Sequence, residues 1–142
     1  MKYFSLASSA LQLLAKAREL TGLTNIIDTS IEERLHKFVH ALNTEAQLSE
    51  GGATRMERHL LLVLGNRLRM LRDFQQHPEI EEQKIVRPVI MTGAARTGST
   101  KLQKMIAATG DFNYLPCWQG ISLSLLSGKR DEAAAERIRI AD

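Results

Sequence analysis

Residues 93–100 read Gly-Ala-Ala-Arg-Thr-Gly-Ser-Thr, and their types and spacing offer most of the chemistry in this sequence. A short apolar run, 89–92, precedes them, and apolar residues at helical spacing follow over 102–106. Strand, glycine loop and helix in this order are typical of a phosphate-binding loop. Gly93 and Gly98 would let the chain curl tightly, so that its N–H groups approach an anion. The helix start adds unpaired N–H donors and the positive end of the helix dipole.

The spacing nearly matches the nucleoside-triphosphatase loop GxxxxGK[ST], in which the lysine reaches the β and γ phosphates and the next hydroxyl holds magnesium. Ser99 stands at the lysine position, and a cation is found instead inside the loop, at Arg96. Hydroxyls at Thr97, Ser99 and Thr100 add further donors. This set favours a single terminal phosphate or a phosphosulfate over a triphosphate with magnesium. A nucleotide kinase or triphosphatase relative remains an alternative, and so does an ordinary strand-to-helix turn.

The segment Pro88–Thr100 resembles the 5′-phosphosulfate loop of sulfotransferases that use 3′-phosphoadenosine 5′-phosphosulfate (PAPS). The similarity extends over nearly the whole chain. Segments on both sides of the loop look like a bacterial-type branch of that family, which has a helical N-terminal leader. These segments are Thr21–Leu23, Leu42–Leu48, Asn66–Leu68, His77–Ile80, Trp118 and Arg137–Ile138.

This resemblance implies an α/β protein with a P-loop-like, three-layer fold and a parallel sheet. Residues 1–84 would be the helical leader, and residues 85–142 would begin the α/β domain with its first strand, the loop and the following helices. One strand cannot form a sheet, and the family's 3′-phosphate site has no match before Asp142. We therefore expect the chain to be an incomplete N-terminal portion of a longer sulfotransferase.

The implied activity is transfer of a sulfuryl group from PAPS to a hydroxyl or amine, with no metal. The resemblance assigns donor binding to the loop residues and the catalytic role to Arg96, which would stabilise the charge that develops as the sulfuryl group leaves. The partners would be PAPS, its product 3′-phosphoadenosine 5′-phosphate (PAP) and an unidentified acceptor. The donor-binding residues are Arg96, Thr97, Gly98, Ser99 and Thr100.

Four positions depart from the family pattern. Ala94-Ala95 replaces the usual Leu-Pro, and Lys101 replaces an apolar residue. Gln119 stands where the branch often has glutamate beside Trp118, and an amide is a poor base. Whether this chain is active by itself is therefore left open, and a non-catalytic helical interaction fragment is a second alternative.

Composition narrows the protein class. The 142 residues are 44% hydrophobic and 25% charged, which is ordinary for a soluble domain. A net charge of +3 permits an anionic ligand without demanding nucleic acid. The lone Cys117 fits a reducing compartment, and neither a signal peptide nor an apolar run of membrane-spanning length is found. These features predict a cytoplasmic protein.

Helical periodicity dominates before the loop. We predict a first helix with an apolar stripe from Leu6 to Ala17 that stops at Gly22, and a last helix over 131–141. Between them we predict a second helix over 30–48, which starts with a Ser30–Glu33 capping box. Its buried residues would be Ile31, Leu35, Phe38 and Leu42. We predict that Gly51-Gly52 then breaks the chain and that a third helix follows over 53–75. Glu32, His36 and His40 share one spacing, and we interpret them as a solvated face rather than a metal site.

Overall fold

A computed structural model describes residues 3–26 and 28–124 of the chain. The chain divides into two compact units, of which the first runs to His77 and the second runs from Pro78 to Leu123, with Ser124 grouped with the first. The first unit holds helices α1 (Ala10–Thr21), α2 (Thr29–Thr44) and α3 (Glu50–Gln76), and the second holds a 3₁₀ turn (Pro78–Ile80) and helices α4 (Ser99–Ala108) and α5 (Cys117–Ile121).

Helix α1 has well-defined ends. At its start the Ser9 hydroxyl accepts from the Gln12 N–H at 3.3 Å, while the Gln12 side chain accepts from the Ser9 N–H at 2.8 Å. This reciprocal capping box satisfies two donors that the helix leaves open. At the other end Gly22 takes a left-handed conformation with φ 68°, and its N–H donates to Glu19. The predicted stop at Gly22 is confirmed.

Helix α2 begins one residue before its predicted start. Its cap is Asp28, whose carboxylate accepts from the Ser30 N–H at 3.1 Å. The predicted Ser30–Glu33 capping box is therefore wrong, because the aspartate reaches the open N–H groups first. The buried stripe also differs, since Val39 is buried and Phe38 is 47% exposed.

Helix α3 starts earlier than predicted, and the predicted break at Gly51-Gly52 is wrong. Both glycines lie in the first turn of the helix, where the Ser49 hydroxyl accepts from the Gly52 N–H at 3.1 Å. A good cap compensates there for the weak helix propensity of glycine. The resulting helix of 27 residues is roughly 40 Å long at 1.5 Å per residue.

The core of the first unit forms where α1 packs against both α3 and α2. Leu13 is fully buried, and Ala10 and Ala17 on the same face allow close approach of the helices. The confirmed stripe of α1 therefore supplies the centre of this core. The buried residues of the whole core are Leu6, Ala10, Leu13, Leu14, Ala17, Ile26, Leu35, Val39, Leu42, Ala53, Leu60, Leu64 and Leu68.

The α/β prediction is wrong for the part of the chain that the structure describes, which contains helices and no β-strand. Residues 89–92, predicted as the first strand, have no regular secondary structure. A strand exists only when its N–H and C=O groups pair with a neighbour, and no described segment pairs with this one. Its apolar side chains are left in solvent, with Val89 60% and Ile90 79% exposed.

Two further predictions concern the C-terminal part. Trp118 and Gln119 lie in the short helix α5 and are partly buried. The predicted helix over 131–141 and the segment Arg137–Ile138 lie outside the described residues. Among the helices that are described, none combines the length and the apolar character needed to cross a membrane.

Candidate functional site

The five predicted donor-binding residues, 96–100, are continuous and exposed; residues 96–98 form the end of the loop, and Ser99 and Thr100 are the first two residues of α4. Arg96 has φ 67° and Gly98 has φ 88°, so two left-handed residues flank Thr97. Turns of this kind direct successive backbone N–H groups toward one side, which makes a concavity suited to an anion. The backbone therefore brings the predicted residues together without help from distant parts of the chain.

The two left-handed positions differ in what they cost. Glycine accepts a positive φ without steric penalty, so the conformation of Gly98 explains its residue type. For Arg96 the same conformation costs about 1–2 kcal/mol, and strain of this size is concentrated at functional loops. Gly93 is not left-handed, and a Cβ there would meet the Thr97 hydroxyl at an ordinary 3.5 Å. Its backbone geometry alone does not demand glycine.

The Thr97 hydroxyl forms a hydrogen bond within the loop. It donates to the Ala94 carbonyl at 2.8 Å, and a hydroxyl has only one proton to donate. In this conformation Thr97 can offer a ligand its backbone N–H, while its side chain holds the turn. This positioning role is a feature that sequence reasoning missed, because spacing alone cannot tell which way a hydroxyl donates.

The start of α4 leaves donors open. Hydrogen bonding in the helix begins with the N–H groups of Lys101 and Leu102, which donate to Gly98 at 3.0 and 3.1 Å. The N–H groups of Ser99 and Thr100 precede those bonds, and no side chain caps them. Among the described residues, neither hydroxyl of this pair has a hydrogen-bond partner. Together they provide four donors at the positive end of a helix of ten residues.

Basic residues lie in the loop and in a concavity beside the start of α4. Arg96 is exposed and has no ion-pair partner among the described residues. Lys84 and Arg87 line one open concavity of about 1420 Å³ together with Ser99 and Thr100. Sequence reasoning missed these two cations, although basic residues at both ends of the apolar pair 85–86 were a visible signal.

A second polar cluster lies in the first unit. The buried Ser8 hydroxyl donates to the Glu57 carboxylate at 2.5 Å and accepts from the Lys16 ammonium at 2.7 Å, and Lys16 also pairs with Glu57 at 3.1 Å. The hydroxyl of Ser8, then the Lys16 ammonium, holds the pKa of Glu57 below its usual 4.5. A carboxylate with a lowered pKa is a weak base, so Glu57 is a poor candidate for general-base chemistry. The cluster instead holds the N-terminal segment, through Ser8, against α1 and α3.

A third cluster joins α2 to α3. The Arg67 guanidinium donates to the Asp28 carboxylate and, at 3.0 Å, to the Ser30 hydroxyl. The bond from Arg67 is the main reason that the pKa of Asp28 lies below its usual 3.8. Arg67 belongs to a segment that resembles the sulfotransferase leader, and here its side chain stabilises the helical unit.

The four-residue spacing of Glu32, His36 and His40 places these side chains in solvent on α2. No group of three or more metal-ligating side chains converges among the residues that the structure describes.

Comparisons with known proteins give no relative for this chain. No protein-family model, no curated protein and no solved structure matches it. The resemblance to sulfotransferases therefore depends on the loop and leader residues of the sequence alone.

Proposed function

We propose that the loop 93–100 binds the 5′-phosphosulfate of PAPS and that this protein takes part in sulfuryl transfer to a hydroxyl or amine. The observation that carries the proposal is the loop geometry. Left-handed residues at Arg96 and Gly98 lead directly into a helix whose first N–H groups are uncapped. The segment thus carries an exposed arginine close in sequence to open N–H and hydroxyl donors, a combination that suits a terminal oxyanion.

The chemistry that follows is an in-line displacement at sulfur. The acceptor oxygen or nitrogen forms a new bond to sulfur while the bond from sulfur to the bridging oxygen of PAPS breaks, which releases PAP. The acceptor proton passes to a base, for which Gln119 cannot serve. Arg96 would stabilise the negative charge that develops on the bridging oxygen. Because arginine keeps its proton at all relevant pH values, it would act by charge and hydrogen bonding and not as an acid.

The residue type at position 99 favours PAPS binding over binding of a nucleoside triphosphate with magnesium. A P-loop lysine spans the β and γ phosphates and supports a magnesium complex, and Ser99 is too short for that task. We expect PAP to bind without magnesium, and we expect ATP with magnesium to bind no better than ATP alone. Tight ATP binding that requires magnesium would favour the nucleotide kinase alternative.

Titration calorimetry with PAP and the 142-residue chain tests the proposal directly. We expect Arg96→Ala to weaken PAP binding at least tenfold, which equals about 1.4 kcal/mol. The matched control is Arg55→Ala, since Arg55 is an exposed arginine on α3 without a hydrogen-bond or ion-pair partner among the described residues. The control should bind PAP like the unmodified chain.

The outcomes separate two errors. Equal PAP affinities for Arg96→Ala and the unmodified chain would remove Arg96 from the site. Failure of the unmodified, folded chain to bind PAP at millimolar concentration would remove PAPS binding as the function of this chain and leave the nucleotide kinase and non-catalytic alternatives, which ATP binding then distinguishes. Circular dichroism of each variant checks that the helical unit is intact.

A further inference from the structure

We draw no further inference here: the strongest candidate, the exposed apolar surface patch of residues 85–91 beside the loop, carries nothing because none of the described residues shows what covers it.

Discussion

Replacing Thr97 by valine tests whether the loop keeps its shape through one hydrogen bond. Valine has nearly the volume of threonine, so the substitution removes the 2.8 Å bond to the Ala94 carbonyl and little else. A hydrogen bond between neutral groups contributes about 0.5–1.5 kcal/mol. Loop opening should therefore become about two- to tenfold more frequent. The effect should lie in the lower half of that range, because the residue is exposed and water can satisfy the carbonyl.

Amide hydrogen exchange, measured without ligand, reports this opening directly. We expect faster exchange at Lys101 and Leu102, whose N–H groups donate to Gly98, in Thr97→Val and a return to the original rates in Thr97→Ser, which restores the donor. Thr109→Val is a matched control, because the Thr109 hydroxyl makes an equivalent 2.9 Å bond to Ile106 at the other end of α4. That variant should leave the loop rates unchanged.

The same three variants connect loop shape to ligand binding. If PAP binds at this loop only in its closed form, its affinity should fall in Thr97→Val by at most the factor that exchange gives for opening, because the apparent affinity follows the closed fraction. Thr109→Val should bind normally. Unchanged loop exchange in Thr97→Val would refute the reasoning about the hydrogen bond. Faster exchange with unaltered PAP affinity would instead show that this hydrogen bond does not limit PAP binding.

Three predictions concern the helical unit. Leu13→Ala should lower the free energy of unfolding in urea by about 2–5 kcal/mol, because Leu13 is fully buried. Leu11→Ala should lower it by less than about 0.5 kcal/mol, because Leu11 is exposed. Equal effects would contradict the buried face of α1. Gly22→Ala should destabilise by about 1 kcal/mol in the same assay because alanine is strained at φ 68°, and a gain in stability would contradict that cap. Asp28 and Glu57 have lowered pKa values, so they contribute stability above pH 4 to 5 that is lost on further acidification. Urea midpoints from pH 7 to pH 3 should fall in the unmodified chain and fall less in Glu57→Gln; parallel slopes would exclude Glu57.

Local signals predicted the helices well where one residue type decides the outcome. Gly22 ends α1 because a left-handed residue closes that helix, and the stripe around Leu13 is the core. Prediction failed where two local signals competed. Gly51-Gly52 predicted a break, but the cap at Ser49 lets α3 begin before these glycines. Ser30 was predicted as the cap of α2, but Asp28 is the cap and accepts from the Ser30 N–H.

The strand was beyond local prediction for a different reason. Alternating and β-branched residues indicate a fit to a sheet, but a sheet depends on partners that the pattern of 89–92 does not supply. The loop needs no such partner. A tight turn was predicted at both glycines; Gly98 is left-handed with φ 88°, whereas the backbone geometry of Gly93 does not demand glycine. The direction of the Thr97 hydroxyl and the conformation of Arg96 required coordinates, because neither residue type determines them.

Pro88 has a consequence for the colloidal behaviour of the protein. An exposed apolar segment is a template for intermolecular β-pairing and fibril growth. Pro88 lacks an N–H, so an incoming chain cannot form an unbroken ladder along the edge of 85–91 to which residue 88 would donate. Lys84 and Arg87 add repulsion between stacked copies. We expect these three residues to lower the tendency of the exposed apolar stretch to form ordered aggregates.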